Sequence, residues 1–158
     1  MAVTKAGMRK QVVENLSLVA PPGEQFIACV HGMTGPSPWL DGVLGALIMQ
    51  SLRKYYFVTL TNTSVVINRA GRIANRPKEI VAAVPLQSGA VTMVQKNALW
   101  SKLYVQFPGE AKPTRIHVHR IWSKDLDAFL AVAVNPAVAQ LPAQGSAPVG
   151  EQADQQVG

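Results

Sequence analysis

This sequence has little cysteine, and its N-terminal stretch has little of the apolar character that a secretory leader requires. Cys29 is the single cysteine among 158 residues, so no disulfide can form within the chain. The N-terminal stretch "MAVTKAGMRKQVVENLSL" carries charges at Lys5, Arg9, Lys10 and Glu14 and contains no apolar core, which predicts that it is not a signal peptide. We therefore expect a cytoplasmic protein, either free or attached peripherally to the inner membrane.

Long apolar runs are also missing. The uncharged apolar stretch from Gly42 to Leu52 has eleven residues, far short of the roughly 20 that a membrane-spanning helix needs. We expect no transmembrane segment. Ser37 and Pro38 are typical of a helix start, and Arg53 with Lys54 is typical of a helix end. The sequence therefore predicts an apolar helix over 38–52, which would lie in the core, at a protein interface or against lipid.

Acidic residues are scarce, and their distribution is uneven. Charged residues make up 15% of the chain, with 15 Lys and Arg against nine Asp and Glu. Twelve of the basic and two of the acidic residues lie between positions 50 and 124, which gives this body a net charge of +10, whereas the remainder has three basic and seven acidic residues. Such a basic body attracts anionic lipid, nucleic acid or an acidic protein surface, or it serves as a solubilising surface without a ligand.

The apolar periodicity divides the chain into three parts. Residues 1–19 carry an amphipathic helical pattern over 6–18, and residues 20–134 form the predicted domain. This domain contains short β-branched and aromatic segments that predict about seven antiparallel strands, followed by a C-terminal helix. Residues 135–158 are rich in Ala, Gln, Pro and Gly without periodicity, and we expect this tail to be disordered. The predicted fold class is α+β, mainly β, with the strands curled into a small barrel.

Several segments resemble the bacterial pleckstrin-homology-like (PH-like) domains. They are "PPGEQFIACVHG", "YYFVTLTNTSVVI", "NRAGRI", "IVAAVPLQSGAV" and "RIHVHRIWSKDLDAFLAV". This resemblance implies a PH-like barrel over about residues 20–134, with a capping C-terminal helix and the helix 38–52 inserted between the first two strands. It also implies a non-enzymatic interaction module, and it makes self-association plausible. The segment from Gln25 to Gln50 contains no Lys or Arg, so the basic loop of phosphoinositide-binding members is not expected here.

Candidate binding residues come from the basic body and the apolar helix. Basic residues cluster around the second hairpin, where an exposed tip would contact an anionic surface or remain solvated. Apolar residues of the helix 38–52 would contact a partner protein, a second copy of the chain or lipid. The candidate contact residues are Arg53, Lys54, Arg69, Arg72, Arg76, Lys78, Trp39, Leu40 and Leu47.

The residues that could support catalysis or metal binding have simpler interpretations. His117 and His119 alternate with apolar residues on one strand, and with His31 they would offer three imidazoles for zinc, but we expect them on a solvent-facing side. Cys29 is expected to be a buried core residue rather than a nucleophile. No nucleotide-binding loop or nucleophile-elbow motif occurs in the sequence. We expect no metal, no cofactor and no enzymatic activity.

These observations predict a binding or scaffold module. The leading hypothesis is protein–protein association, including self-association, or peripheral attachment to an anionic membrane. The alternative hypothesis is a nucleic-acid or anionic-ligand binder that uses the basic body 50–124.

Overall fold

The computed structural model of the protein describes residues 4–36, 45, 51–71 and 76–133. Most of the predicted helix 38–52, all of the tail 135–158, and the candidate residues Trp39, Leu40, Leu47 and Arg72 lie outside the described residues. The described part contains two helices and seven strands. In chain order they are α1 Lys5–Val19, β1 Phe26–Thr34, β2 Lys54–Thr61, β3 Ser64–Ala70, β4 Pro77–Pro85, β5 Val91–Gln95, β6 Trp100–Val105, β7 Thr114–His119 and α2 Ser123–Ala133.

The strands form one antiparallel sheet in the order β4-β3-β2-β1-β7-β6-β5. The prediction of about seven antiparallel strands followed by a C-terminal helix is confirmed. Consecutive strands pair as hairpins except at the centre of the sheet, where the first strand pairs with the last. The chain therefore returns to its beginning, and β1 joins two groups of strands.

The predicted barrel is wrong, because the sheet is open. β4 and β5 follow one another in the chain but lie at opposite edges, and no residue pair joins them in the part of the chain that the structure describes. The 3-10 turn Leu86–Ser88 and Gly89, which has a φ of 71°, turn the chain between them. β5 has only five residues and an irregular register, and most of its side chains are exposed. It therefore offers little apolar surface that closure would bury.

The "PPGE" segment before β1 ties the chain to the β2–β3 turn. The Asn62 amide oxygen accepts the Gln25 N–H at 2.8 Å, and the Glu24 Oε1 accepts the Thr63 hydroxyl at 2.9 Å. The Thr61 hydroxyl also donates to this carboxylate oxygen. A carboxylate that accepts from both ends of a tight turn stabilises that turn more than neutral groups would.

Most of the core lies on the face of the sheet that carries Val30, Val58, Ile67, Ile116 and Val118, all of them buried, and Cys29 and Phe57 extend it on the other face. The buried side of α2, formed by Leu126, Phe129 and Val132, belongs to the same apolar cluster, and α2 contacts β1. α1 buries Met8, Val12 and Leu16 at helical spacing, and it contacts β1 and β4. Burial of such side chains against the sheet is the main source of stability for this fold.

Candidate functional site

Basic residues from three strands meet at one end of the sheet. Lys54 begins β2, Arg69 lies near the end of β3, and Arg76 and Lys78 flank the start of β4. The register aligns these positions, since Tyr56 pairs with Arg69 and Ala70 pairs with Pro77. We call Lys54, Arg69, Arg76 and Lys78 the basic end. Four of the sequence-predicted binding residues are thus brought together.

Two of the predicted arginines have surroundings that limit their access to a ligand. Arg53 is only 4% exposed, and it lies against Gly35 beside the end of β1. Arg69 is exposed, and its guanidinium lies 3.8 Å from the Glu79 carboxylate on the neighbouring strand. An exposed pair of this kind contributes little stability, but it reduces the positive potential near Arg69. The role of these residues in binding stays a prediction.

The edge strand β4 combines free backbone groups with exposed apolar side chains. Its outer side has no neighbouring strand among the described residues. Ile80 is 37% exposed and Val81 is 47% exposed. Val81 lies at an irregularity of the ladder, because Asn68 pairs with Ile80 and Ile67 pairs with Ala82. The segment 80–84 is uncharged, whereas edge strands commonly carry charges that discourage further pairing.

A second candidate site lies on the face of the sheet opposite Val30 and Val118, where β1, β2, β6 and β7 meet the 3-10 turn Arg120–Trp122 before α2. Three histidines and three other aromatic residues surround a pocket of about 80 Å³. Antiparallel register places them on one face, since His31 pairs with Phe57, Met33 with His117, and Trp100 with His119. We call this site the histidine pocket; its walls are His31, His117, His119, Tyr55, Trp100 and Trp122.

The prediction that the histidines face solvent is wrong for His117, which is 2% exposed. The pattern of β7 alternates correctly, but Trp122 and neighbouring aromatic residues cover this second face as well. Burial, followed by the charges of Arg115, Lys102 and Arg53, lowers the pKa of His117 from its ordinary range. Burial also lowers the pKa of His31, to about 4. Both imidazoles are therefore neutral at neutral pH.

Ring contacts hold the histidines in place. His31 stacks on Tyr55 with centroids 5.9 Å apart, and it lies 4.8 Å from the Phe57 ring. His119 contacts Trp100 edge to face at 4.8 Å. The Nε2 atoms of His31 and His117 are buried and have no hydrogen-bond partner. Buried polar atoms of this kind usually have a partner, so this pocket is chemically incomplete.

The three imidazoles are not arranged as a metal site. The Nδ1 of His119 accepts the Ile121 N–H at 3.4 Å, which occupies one of its two nitrogens. Within the described ranges, no group of three or more His, Cys, Asp and Glu side chains is placed to hold a metal ion. The cations that lower the pKa of His117 also oppose a metal ion electrostatically.

Cys29 lies on the same face of the sheet as His31, two residues before it in β1. Its side chain is fully buried, and it receives a hydrogen bond from the Thr59 hydroxyl at 3.6 Å. Burial raises the pKa of the Cys29 thiol to about 12, despite the lowering effect of that hydrogen bond. A thiol that stays protonated at neutral pH is a poor nucleophile, so this residue belongs to the core.

Comparisons with known proteins give fold-level similarities alone. No family model matches the sequence, and no curated protein matches it. Similar solved structures include the hSac2 domain from the human phosphoinositide phosphatase Sac2, at 10% identity over 86% of this chain and 83% of that chain, with a TM-score of 0.41. Another is a DUF1696-family protein with a pleckstrin-homology domain from Shewanella loihica, at 11% identity over 75% of this chain and 94% of that chain, with a TM-score of 0.39.

Both TM-scores are low, so these likenesses establish neither a family nor an activity. The open seven-stranded antiparallel sheet with two helices is described by the structure itself. Membership of the PH-like domains stays a prediction. In the described ranges, no helix has the length and apolar character that crossing a membrane requires.

Sequence reasoning considered the three histidines together as a possible zinc site, but it did not predict the aromatic pocket that they line. His31 lies on β1, His117 and His119 lie on β7, and Trp122 follows in the next turn, so the pairing of the first strand with the last brings them together. The signal was weak but present. In β1 and in β7, histidine alternates with apolar residues, and a tryptophan follows β7 in "RIHVHRIW".

Proposed function

We propose that the protein is a non-enzymatic binding module that associates with a second copy of itself through the edge strand β4. The observation that carries this proposal is the exposure of Ile80 and Val81 on a nine-residue edge strand whose outer backbone groups have no neighbouring strand in the described part of the chain. Addition of a strand to such an edge satisfies its backbone groups and buries the apolar side chains.

The sequence of β4 suits pairing with an identical antiparallel strand. In a two-fold pair centred on Val81, each Val81 would lie opposite its copy. Lys78 would then lie opposite Val84, and Glu79 opposite Ala83. In this register no two like charges lie opposite each other. Like charges in directly opposed positions would destabilise the pair of strands. Prolines at both ends of β4 would restrict the pairing to the residues between them.

The state of the candidate nucleophile supports the non-enzymatic part of the proposal. Cys29 is buried, and its thiol is protonated at neutral pH because burial raises its pKa to about 12. His31 contacts aromatic rings, and neither His31 nor His117 has a hydrogen-bonded hydroxyl or thiol among its described contacts. A general base needs such a nucleophile within reach.

Sedimentation velocity of the full chain across the micromolar range tests the self-association. We expect a concentration-dependent dimer that the V81K variant weakens by about tenfold or more, because the charge would be desolvated at the centre of the pair. The matched control is M93K, which places the same charge on the opposite edge strand, where Met93 is 46% exposed. A wild-type protein that stays monomeric, or equal weakening by both variants, would overturn the proposal.

A second candidate function, attachment to an anionic membrane surface, is favoured by the clustering of Lys54, Arg69, Arg76 and Lys78 at the basic end. Each exposed cation near such a surface contributes about 1 kcal/mol. The test is co-sedimentation with vesicles of phosphatidylcholine with and without phosphatidylserine. The K54A/K78A variant should lose binding to the anionic vesicles, whereas K112A/K124A, with the same net charge, should retain it.

Nucleic-acid binding is the alternative that the basic body suggests, and the same two variants help to distinguish it from membrane attachment. Binding to duplex DNA that falls steeply as salt rises, without binding to anionic vesicles, would support that alternative. Equal behaviour of the two double variants on vesicles would show that net charge, rather than the basic end, governs attachment.

A further inference from the structure

The histidine pocket is a built cavity with unused hydrogen-bonding capacity. His117 lines it, is 2% exposed, and has a buried Nε2 without a partner; the buried Nε2 of His31 also lacks one. A buried polar atom without a partner is costly unless a ligand or water satisfies it. The mouth is accessible, because Ile121, which also lines the pocket, is 55% exposed.

We propose that this pocket binds a small planar aromatic carboxylate, with its ring between the aromatic walls and its carboxylate toward His117 and Lys102. This site is separate from the β4 edge and does not depend on self-association. The proposal rests on three features of the pocket, which are its walls, its size and the sign of its charge.

The walls and size favour one planar ring. Trp100 and His119 meet edge to face at 4.8 Å, whereas His31 and Tyr55 stack with only 10° between their planes. These rings present flat and edge surfaces to a planar group, which is the geometry that aromatic pairs prefer. The volume of about 80 Å³ is smaller than the closed cavity of about 150 Å³ known to hold benzene, so a single ring, partly at the open mouth, is the largest group expected.

The charge around the pocket favours an anion. No Asp or Glu is among the lining residues. Lys102 pairs directly with His117, and Arg115 lies two residues earlier on the same face of β7. A cationic aromatic ligand is disfavoured by these charges, and the Lys5 ammonium already lies over the Trp122 ring at 5.1 Å from its centroid.

A neutral His117 would be a suitable donor. A neutral imidazole has one N–H and one acceptor nitrogen, and the hydrogen-bond partner determines which nitrogen carries the proton. With the proton on Nε2, His117 donates to a carboxylate oxygen without the cost of burying a second charge. Lys102 would then supply the charge-assisted contact from the partly exposed rim.

Titration of the full chain with benzoate, followed by the indole N–H signals of Trp100 and Trp122 in nitrogen-15 NMR spectra, tests this proposal. Benzyl alcohol and benzylamine are the matched probes that keep the ring and change the charge, and acetate keeps the charge and removes the ring. We expect saturable shifts with benzoate and binding about tenfold weaker or worse with each of the other three.

Two variants separate a built site from non-specific contact. K102Q should weaken benzoate binding by about tenfold and leave benzyl alcohol unchanged. K112Q is the control, since Lys112 is an exposed lysine outside the pocket. W100A should weaken the binding of both benzoate and benzyl alcohol. Benzoate that binds no better than benzyl alcohol, or K102Q that behaves like K112Q, would overturn the proposal, and neither variant removes a fully buried side chain.

Discussion

The two groups of strands that meet at β1 differ in length and in burial. β1 to β4 have nine, eight, seven and nine residues, and six consecutive residues of β2 are buried. β5 to β7 have five, six and six residues, and only half of the residues in β6 and in β7 are buried. α1 contacts β1 and β4 of the first group, and β2 has buried residues on both faces, such as Phe57 and Val58. In the second group the buried apolar residues Leu103, Val105, Ile116 and Val118 lie on one face, and His117 is buried on the other face at the histidine pocket.

This difference shows that the first group is the structural body and that the sites lie at its boundaries. One candidate site, the β4 edge, lies where the body ends toward solvent. The histidine pocket lies where the body meets the second group, through the pairs Gly32 with Val118 and Met33 with His117. The following predictions change one group at a time, in decreasing order of expected effect.

The junction itself should be the most sensitive position. A Cβ at Gly32 would lie 2.4 Å from the Ile116 side chain and 2.8 Å from the backbone oxygen of His117. The G32A variant should lose at least the roughly 1–3 kcal/mol typical of an overpacked core, because one obstructing atom is backbone and cannot move alone. Urea denaturation measures the loss. G71A is the control, since its Cβ would meet the flexible end of Lys78 at 3.3 Å and the Arg76 backbone oxygen at an ordinary contact distance of 3.9 Å. Equal losses would mean that the two groups are not tightly joined at β1.

The second-largest effect should come from lowering the pH, which should weaken the junction at His31. Burial lowers the pKa of His31 from 6.5 to about 4, so the unfolded chain takes up a proton at a higher pH than the folded protein does. The contribution of neutral His31 to the free energy of unfolding is complete above pH 6.5. As the pH falls toward 4, the protein loses about 3 kcal/mol of this free energy. The free energy of unfolding, measured across this range, should fall less steeply in H31F. An identical pH dependence in wild type and H31F would contradict this assignment.

The turns of the two groups should respond differently to loss of one side chain. In the first group, Glu24 accepts from the Thr61 and Thr63 hydroxyls, and E24A should cost about 2 kcal/mol because a charged acceptor is lost. In the second group, the Gln106 side chain donates to the Glu110 backbone oxygen at 2.6 Å. Q106A should cost about 1 kcal/mol, since that bond is neutral. Thermal unfolding compares them, and a larger loss in Q106A would reverse the order of the two groups.

The smallest expected effect concerns the cover of the first group. The Thr4 side-chain oxygen accepts the Gly7 N–H at 3.1 Å and caps α1. T4A should cost about 1 kcal/mol, and the faster hydrogen exchange should be confined to α1 and the strands that it covers. Cys29 offers a second readout, because its buried thiol should react with alkylating reagents faster in T4A. Exchange that rises equally in β5 to β7 would show that α1 supports both groups.

Much of this architecture was predictable from local pattern. β2, β3 and β6 follow short segments rich in β-branched and aromatic residues and bounded by turn residues, and α2 follows a helical stripe after Ser123. The clustering of Lys54, Arg69 and Lys78 also followed from the hairpin order. The burial of His117 and of Arg53 could not be predicted in this way, because alternation assigns a residue to a face and does not reveal whether another element covers that face.

Periodicity, turn chemistry and charge counts along the chain were sufficient for the seven antiparallel strands, the two helical segments and the basic body, because each depends on residues close in sequence. The openness of the sheet and the histidine pocket depended on which strands pair over long sequence separations. β1 pairs with β7, whereas β4 and β5 do not pair with one another within the described residues. Such pairings depend on competition among surfaces far apart in the sequence, and that competition has no signature in any single stretch of sequence.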